Sequence, residues 1–336
     1  MRVFDGHNDA VSRVWEAGGD AAAGFLAGDG AGHIDLPRAA QGGLAGGCFA
    51  VFTCSPGEDS YDSGAYFTAV DQRRALKEAL AQVALLLRLE RGSGGRLRIA
   101  RDVADLDGAG LAAVLHLEGA EPIGPGLEEL DVLHAAGMRS LGLTWSRPNA
   151  FATGVPFNFP GSPDQGPGLT GAGRALVRAC GELRIVVDVS HLNARGFWDV
   201  AELSEAPLVA SHCGAHALCP SPRNLTDDQL RAIGAGGGVV GINFHVGFLR
   251  ADGADDADTP LSTIAAHAAH VAEIAGVDAV ALGSDFDGAT MPAELRDVAG
   301  LPAVLDALRD AGFGAADLER IAWQNWRRVL AATWSA

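Results

Sequence analysis

Short apolar segments alternate with longer amphipathic ones along almost the whole chain. Eight apolar segments have the length of strands, and most are separated by stretches with helical periodicity. They are apolar at consecutive rather than alternate positions, which indicates burial on both faces, as in a parallel sheet. The segments cover residues 2–4, 44–53, 112–118, 141–145, 184–191, 207–212, 238–244 and 279–285.

Eight strand–helix units predict an α/β fold, and specifically a (β/α)8 TIM barrel. A barrel of this type needs about 250 residues, and the chain has 336. We therefore expect one domain over residues 1–336, with inserted loops near 10–35, 147–169 and 245–260. An open doubly wound sheet with an additional domain is the alternative.

Helical periodicity also predicts individual helices between and after these strands. One is expected over 61–91, and two more over 302–311 and 315–333 at the end of the chain. His267 and His270 are three residues apart on another predicted helix, without a nearby acid. We interpret them as part of a solvated helical face.

Composition and charge narrow the possible partners. Lys and Arg number 25 against 42 Asp and Glu, a formal net charge of −17 that disfavours binding to nucleic acid or anionic membranes. The start of the chain lacks the pattern of a secretory signal, and no apolar stretch approaches the roughly 20 residues of a membrane span. Five scattered cysteines indicate reduced thiols. We therefore expect a cytoplasmic protein.

Side chains that can bind metals gather where the predicted strands end. The carboxyl ends of the strands form the face on which barrels place their active sites. His7 and Asp9 lie two residues apart in an extended segment, so their side chains point the same way. Six such residues, from five strands, are expected at this face: His7, Asp9, Glu118, His191, His212 and Asp285.

Three imidazoles and three carboxylates exceed what one catalytic zinc ion requires, since such an ion keeps about three protein ligands. A pair of cations about 3.5–4 Å apart, bridged by a carboxylate, fits the number better. Two divalent cations acidify a bridging water and hold hydroxide at neutral pH, and the remaining acid can move protons. The pattern therefore predicts metal-assisted hydrolysis.

The motifs around these residues resemble those of a known family. In order they read D-G-H-N-D, H-L-E-G, V-D-V-S-H, A-S-H, P-R-N-L-T-D and G-S-D-F-D-G, from residue 5 to residue 288. This order is similar to that of the membrane (renal-type) dipeptidases, the M19 metallopeptidases, and it runs over nearly the whole chain. The resemblance implies a metal-dependent hydrolase barrel with two Zn²⁺ per chain that cleaves dipeptides or dipeptide-like small molecules.

The resemblance also implies roles for individual residues. His7, Asp9 and Glu118 would hold one zinc ion, and Glu118, His191 and His212 would hold the other. Glu118 would thus bridge the two ions and belong to the catalytic residues. Two further residues complete the implied site, with Arg223 gripping the substrate carboxylate and Asp285 acting as the catalytic acid and base. Mammalian members carry a secretory signal and a lipid anchor. We expect neither feature in this chain, which is therefore similar to the soluble bacterial members. Many members are dimers, which allows a homodimer here.

One departure from the family bears on the substrate. Where the family often has His in an L-T-H motif, this chain has Trp145 after Leu143 and Thr144. The segment that follows Trp145 could line the pocket together with it. Arg147, in that segment, would then be a second anion binder in addition to Arg223, and Trp145 would contact the substrate. His245, just past a strand, could instead replace the missing imidazole, or it could be an ordinary loop histidine.

Three functions therefore stay open at this stage. The first is a binuclear zinc dipeptidase in which hydroxide bridging the metals is the nucleophile. The second is a related amidase or lactonase acting on a non-peptide or N-acyl amino acid substrate, which Trp145 favours. The third is a metal-binding protein without catalysis.

Overall fold

A closed ring of eight parallel strands forms the centre of the computed structural model, which describes residues 1–55 and 67–335. Pairing of β2 with β4 closes the ring, and β3 lies outside it on the edge of β4. Within the described residues the strands are β1 (Val3–Asn8), β2 (Leu44–Phe52), β3 (Leu97–Ile99), β4 (Leu111–Glu118), β5 (Met138–Gly142), β6 (Val186–Asp188), β7 (Val209–Cys213), β8 (Val239–Ile242) and β9 (Val280–Leu282).

Helices surround this ring and separate most of its strands. The first seven are α1 (Ala10–Ala17), α2 (Ala21–Ala27), α3 (Leu36–Gly42), α4 (Gln72–Gly92), α5 (Val103–Asp107), α6 (Glu128–Ala135) and α7 (Gly171–Glu182). The others are α8 (Ala194–Leu203), α9 (Asp227–Ala235), α10 (Val246–Leu249), α11 (Ser262–Ala275), α12 (Leu301–Asp310), α13 (Ala315–Glu319) and α14 (Asn325–Trp334).

The predicted barrel is confirmed, with local differences. The strand β3 was not expected. Of the helix predicted over 61–91, residues 61–66 lie outside the described part of the chain, residues 67–71 are not α-helical, and the rest is seen as α4. A π-helical turn, Arg320–Gln324, separates α13 from α14 within the helix predicted over 315–333. The single domain over 1–336 stays a prediction.

The three predicted insertions differ in content. Residues 10–35 contain α1 and α2, and residues 245–260 contain the short α10. Residues 147–169, all of them described, have no helix or strand and are fastened by the isolated bridges Pro148–Thr153 and Gly154–Leu192. This last insertion is therefore held by one bridge within itself and by contacts with the segments around His191 and Pro220.

The last helix covers the amino end of the barrel. Trp326 is buried, its indole nitrogen donates to the Leu282 carbonyl at 2.9 Å, and its ring lies 5.3 Å from that of Phe4. Asn325 beside it donates to the carbonyls of Val277 and Val280. With this end covered, the opposite end of the ring is left to carry the site.

The interpretation of His267 as part of a solvated face is wrong. His267 is fully buried, accepts a hydrogen bond from the Ala215 amide at 2.9 Å, and lies 3.0 Å from the Leu249 carbonyl through its other nitrogen. His270, three residues on, is half-buried and paired with Asp227 at 2.8 Å. Helical spacing does not distinguish an inward histidine from an outward one.

The described residues contain no helix that is both long enough and apolar enough to cross a bilayer.

Candidate metal centre

The predicted ligands converge at the carboxyl end of the barrel. His7 belongs to β1, and Asp9 is the first residue after this strand. Glu118 is the last residue of β4, and His212 lies in β7. His191 follows β6 with a left-handed backbone, φ 64°. The ring therefore places side chains from four distant segments at one rim, as the strand-end pattern predicted.

These side chains form two overlapping groups that share Glu118. In each group the possible ligand atoms all lie within 4.8 Å of one another. The first group is His7, Asp9 and Glu118, and the second is Glu118, His191 and His212. A third overlapping group joins His7 and His212 to Asp285. The structure thus brings together all six predicted residues.

The two oxygens of Glu118 face different partners. Oε2 lies 3.5 Å from Nε2 of His7, whereas Oε1 lies 3.0 Å from Nε2 of His191 and 3.8 Å from Nε2 of His212. Asp9 joins the first side, with its Oδ2 3.4 Å from Nε2 of His7. This arrangement is what a carboxylate needs in order to bridge two cations.

Hydroxyl groups fix the orientation of two imidazoles. Nδ1 of His191 lies 2.7 Å from the Ser146 hydroxyl, and Nδ1 of His212 lies 2.8 Å from the Ser211 hydroxyl. Both Nε2 atoms then face the cluster, 3.0 Å apart. A histidine that binds a metal through one nitrogen is usually held through the other in this way.

A buried carboxylate supports the hydroxyl behind His212. Asp188 accepts hydrogen bonds from the amides of Ser190 and Ser211, at 3.0 and 2.9 Å, and from the Ser211 hydroxyl. The Ser211 hydroxyl proton is therefore committed to Asp188, and its oxygen is left to accept from Nδ1 of His212. This selects the tautomer whose Nε2 carries a lone pair toward the cluster.

Burial and mutual charge set the protonation of these groups. Burial lowers the pKa of His191 to about 4 and that of His212 well below its usual value, so both rings are neutral at pH 7. Burial raises the pKa of Asp9 to about 7. Burial opposes the charged form of Glu118, but the charges and hydrogen bonds of His7 and His191 together outweigh it and hold the pKa of Glu118 well below its usual range.

The chemistry of the group fits divalent metal ions. His7 is fully buried, and neither of its ring nitrogens has a hydrogen-bond partner among the described residues. Burial lowers its pKa, but the neighbouring Glu118 and Asp9 carboxylates raise it well above the usual value. Buried polar atoms without partners are costly, and a cation between these imidazoles and carboxylates would satisfy them. Imidazole nitrogen with carboxylate oxygen suits zinc and its neighbours.

Asp285 lies beside the cluster on the loop after β9. Its backbone is left-handed, φ 65°, and its amide donates to the His7 carbonyl at 3.0 Å. The Asn243 side chain donates to its Oδ2 at 2.9 Å. A Cβ at Gly288 would meet Oδ2 of Asp9 at 2.2 Å and Oδ1 of Asp285 at 2.8 Å, so any other residue would have to displace these two carboxylates.

Arg223 is held near the second ligand group. It is 3% exposed, and its Nη2 donates to the His212 carbonyl at 3.1 Å. Its Nη1 lies 3.7 Å from the Cys213 sulfur, and its Nε has no hydrogen-bond partner within the described residues. A buried donor without a partner beside the cluster is suited to an anionic ligand.

Trp145 lies beside the cluster, and Arg147 lies behind Trp145. The Trp145 ring is 5.8 Å from that of His191. Arg147 is fully buried, and its guanidinium donates to Glu121 at 2.8 Å, to the Ser55 hydroxyl at 3.0 Å and to the Thr53 carbonyl at 2.6 Å. The structure therefore does not bring the Arg147 side chain to the metal ligands.

His245 is likewise outside the three ligand groups found among the described residues. Its Nδ1 lies 3.4 Å from the Thr290 carbonyl, and its ring packs edge-on against Phe248, 4.5 Å between centroids. This geometry agrees with the alternative of a loop histidine.

Sequence reasoning missed the residues that orient the ligands: Ser146, Asp188, Ser211 and Asn243. Ser211 precedes His212 directly, but strand alternation turns neighbouring side chains to opposite faces and so gave no signal for this contact, and nothing in the sequence links Ser146 to His191. That contact depends on how residues 147–169 and the strands meet in space.

Comparison with known proteins gives a consistent result. The family model described as membrane dipeptidase, peptidase family M19, matches residues 1–335. The chain is 51% identical over 257 residues to an uncharacterised protein in the pqqA 5′ region of Klebsiella pneumoniae, covering 75% of this chain and 95% of the relative.

Two solved structures are similar over the full length. One is a metallopeptidase from Rhodobacter sphaeroides, liganded with a phosphinate mimic of the dipeptide L-Ala-D-Ala, at 44% identity, TM-score 0.95 and 99% coverage of both chains. The other is the dipeptidase AC, a metallopeptidase of family M19, at 45% identity and TM-score 0.94, covering 100% of this chain and 99% of that one.

Proposed function

The chain belongs to the membrane dipeptidase family, M19, whose members are metallo-dipeptidases, and from this premise we propose that it cleaves the amide bond of dipeptides with two zinc ions. The observation that carries the proposal is the placement of Glu118. Its two oxygens face two separate sets of ligands, at 3.5 Å from His7 and 3.0 Å from His191. A single ion would not need a carboxylate shared in this way.

In this proposal each cation has its own ligands. His7 and Asp9 would hold one ion, His191 and His212 would hold the other, and Glu118 would be common to both. Bound there, the ions would supply Lewis acidity and make a water molecule nucleophilic at neutral pH. The hydrogen bonds to Nδ1 of His191 and His212 keep their Nε2 atoms aimed at the site.

Asp285 moves the proton. It lies in one group with His7 and His212, so a water molecule at the cluster is within its reach. Asn243 holds Oδ2 at 2.9 Å, which leaves Oδ1 to take the proton from the attacking water. The same oxygen then returns the proton to the amine as the amide bond breaks.

Arg223 holds the carboxylate end of the substrate. Its Nε, buried beside His212 and without a hydrogen-bond partner in the described part of the chain, supplies a donor that a carboxylate can satisfy. The Rhodobacter sphaeroides metallopeptidase, which is 44% identical, binds a mimic of L-Ala-D-Ala. We therefore take a dipeptide with a free carboxylate, including one with a D-configured C-terminal residue, as the substrate class.

The test combines metal analysis with turnover. The purified protein should contain two zinc ions per chain and hydrolyse L-Ala-D-Ala or L-Ala-L-Ala. Asp285→Asn should retain the zinc and lose turnover by about 100-fold or more. A protein that binds no zinc, or a zinc-loaded protein that cleaves no dipeptide, would contradict the proposal.

A second candidate is an amidase acting on N-acyl amino acids. Trp145 favours it, because the indole stands beside His191 where the family often has an imidazole. N-acetyl-D-alanine and a lactone in the same assay distinguish the two candidates. Turnover of either of these without turnover of dipeptides would favour the second.

A cytoplasmic location and a homodimer remain predictions. Sedimentation of the purified protein tests the second of them.

A further inference from the structure

Aromatic side chains form a continuous surface on one side of the cluster. Phe157 lies 5.3 Å from Trp145 and 5.6 Å from Phe248, measured between ring centroids. Trp145 in turn lies 5.4 Å from Phe52 and stacks on Phe67 at 5.9 Å. We call this surface the aromatic wall, and its members are Phe52, Phe67, Trp145, Phe157 and Phe248.

The aromatic wall extends from the metal ligands to Arg223. At one end, Trp145 and Phe157 lie 5.8 and 6.4 Å from the His191 ring. At the other end, the guanidinium carbon of Arg223 lies 5.3 Å from the Phe248 centroid. The wall therefore lies beside the space between His191, which would hold one ion, and Arg223, which we propose binds the substrate carboxylate.

The aromatic wall is fixed from behind. The guanidinium carbon of Arg147 lies 5.2 Å from both the Phe52 and Trp145 centroids, and Glu121 pairs with it at 2.8 Å. Gly154 packs so closely on the Trp145 carbonyl that a Cβ would lie 1.8 Å from it. The Arg147 guanidinium therefore packs against the Phe52 and Trp145 rings, and the Gly154 backbone packs against that of Trp145.

We infer that the aromatic wall binds the side chain of the C-terminal residue and selects dipeptides in which that residue is aromatic or large and apolar. The inference rests on the proposed function. With the carboxylate on Arg223 and the scissile carbonyl at the cluster, the C-terminal residue spans the interval that the wall flanks. Ring faces contact aromatic and aliphatic groups favourably and offer little to a charged side chain.

The experiment compares substrates that differ only at the C-terminal residue. The zinc-loaded protein is assayed with L-Ala-Phe, L-Ala-Leu, L-Ala-Gly and L-Ala-Asp, the chiral C-terminal residues in both configurations. For the accepted configuration we expect kcat/KM for Phe to exceed that for Gly by about tenfold or more, the scale that a few buried methylenes give. A preference for Gly or Asp would overturn the inference alone. No turnover of any dipeptide would overturn the proposed function with it.

Variants show whether the wall causes the preference. Phe157→Ala should lower the Phe-to-Gly ratio of kcat/KM about tenfold, and Phe157→Leu should keep most of it. The ratio is independent of how much of the protein is folded. Trp198→Ala, an aromatic truncation at a side chain that is 45% exposed on α8, should leave the ratio unchanged. An unchanged ratio in Phe157→Ala would overturn the inference.

Discussion

At the scale of the residue, the site depends on side chains that touch ligands rather than on the ligands alone. The Ser211 hydroxyl lies between Asp188 and Nδ1 of His212, and it is buried with both of them. A hydroxyl in this position determines which imidazole nitrogen carries the proton. Its contribution should therefore appear in metal affinity.

Replacing Ser211 with Ala should weaken zinc binding. The change removes the acceptor at Nδ1 of His212, so the ring is free to take the other tautomer, which carries a proton where the ion binds. We expect about a 10- to 100-fold loss of affinity, measured by competition with a chromophoric chelator. Ser262→Ala, at an exposed position on α11, is the control. Equal affinities in the two variants would contradict the role of the hydroxyl.

His267 offers a test of stability that is independent of the metal site. Burial, with a smaller contribution from the charge of nearby His270, lowers its pKa to about 4, although the hydrogen bond to the Leu249 carbonyl opposes the shift. Since the unfolded chain binds the proton more readily, its stabilising contribution is complete above the unfolded pKa of about 6.5 and is lost as the pH falls toward 4. We expect this one group to remove about 2 kcal/mol of unfolding free energy between pH 7 and pH 5.

His267→Gln keeps an acceptor for the Ala215 amide and a donor for the Leu249 carbonyl but cannot titrate. Urea unfolding of this variant should therefore depend less steeply on pH than that of the parent between pH 7 and pH 5. Identical slopes would show that His267 is not the group responsible.

The convergence of the candidate ligands was predictable from the sequence, since strand ends and residue types were enough to place them at one rim. His7 and Asp9 follow one apolar run, and Glu118 ends another. The position of Arg147 was not predictable, because its partner Glu121 and the Thr53 carbonyl come from other segments. Partners distant in sequence leave no local pattern.

At the scale of the element, the barrel depends on α14 covering its amino end. Trp326 fills the space beneath the strands, and a Cβ on Gly6 would lie 2.5 Å from its ring. The hydrophobic periodicity predicted a terminal helix here but not the π-helical turn Arg320–Gln324 that precedes it. The short strand β3 was missed because Arg98 lies between its two apolar residues, so the segment lacks a continuous apolar run.

Trp326→Ala should destabilise the fold and leave the metal ligands intact. The cavity and the lost indole hydrogen bond to the Leu282 carbonyl are expected to cost about 3–5 kcal/mol in urea unfolding, with zinc stoichiometry in the folded protein unchanged. Trp198→Ala should cost far less, because that ring is 45% exposed. Similar losses in both variants would mean that α14 does not cover the barrel end as described.

At the scale of the whole molecule, the ring of strands joins residues that the chain keeps far apart. Glu118 belongs to β4, which pairs with β2, β3 and β5, whereas His212 belongs to β7, with β5 and β6 between the two strands on one side of the ring. The curvature of the ring brings Oε1 of Glu118 within 3.8 Å of Nε2 of His212. Metal binding and the closed barrel should therefore be coupled.

Removing the metal should lower the thermal stability of the whole protein. An ion that binds only the folded state adds about 4 kcal/mol when its free concentration is 1,000 times Kd. Scanning calorimetry of the zinc-loaded and chelated protein should show this as a lower Tm after chelation. In Glu118→Ala, which has lost the shared ligand, added zinc should raise Tm by much less. The same gain in the variant would refute the coupling.

The order of the ligands along the chain has a consequence for synthesis on the ribosome. His7 and Asp9 leave the exit tunnel early, whereas Asp285 and the helix that covers the barrel are made near the end. A nascent chain that has only its first strands carries some of the candidate ligands but not the closed ring of strands that brings them together. With the proposed zinc centre, we therefore expect the metal to bind late in the maturation of the polypeptide, after the last strand and the covering helix have been made.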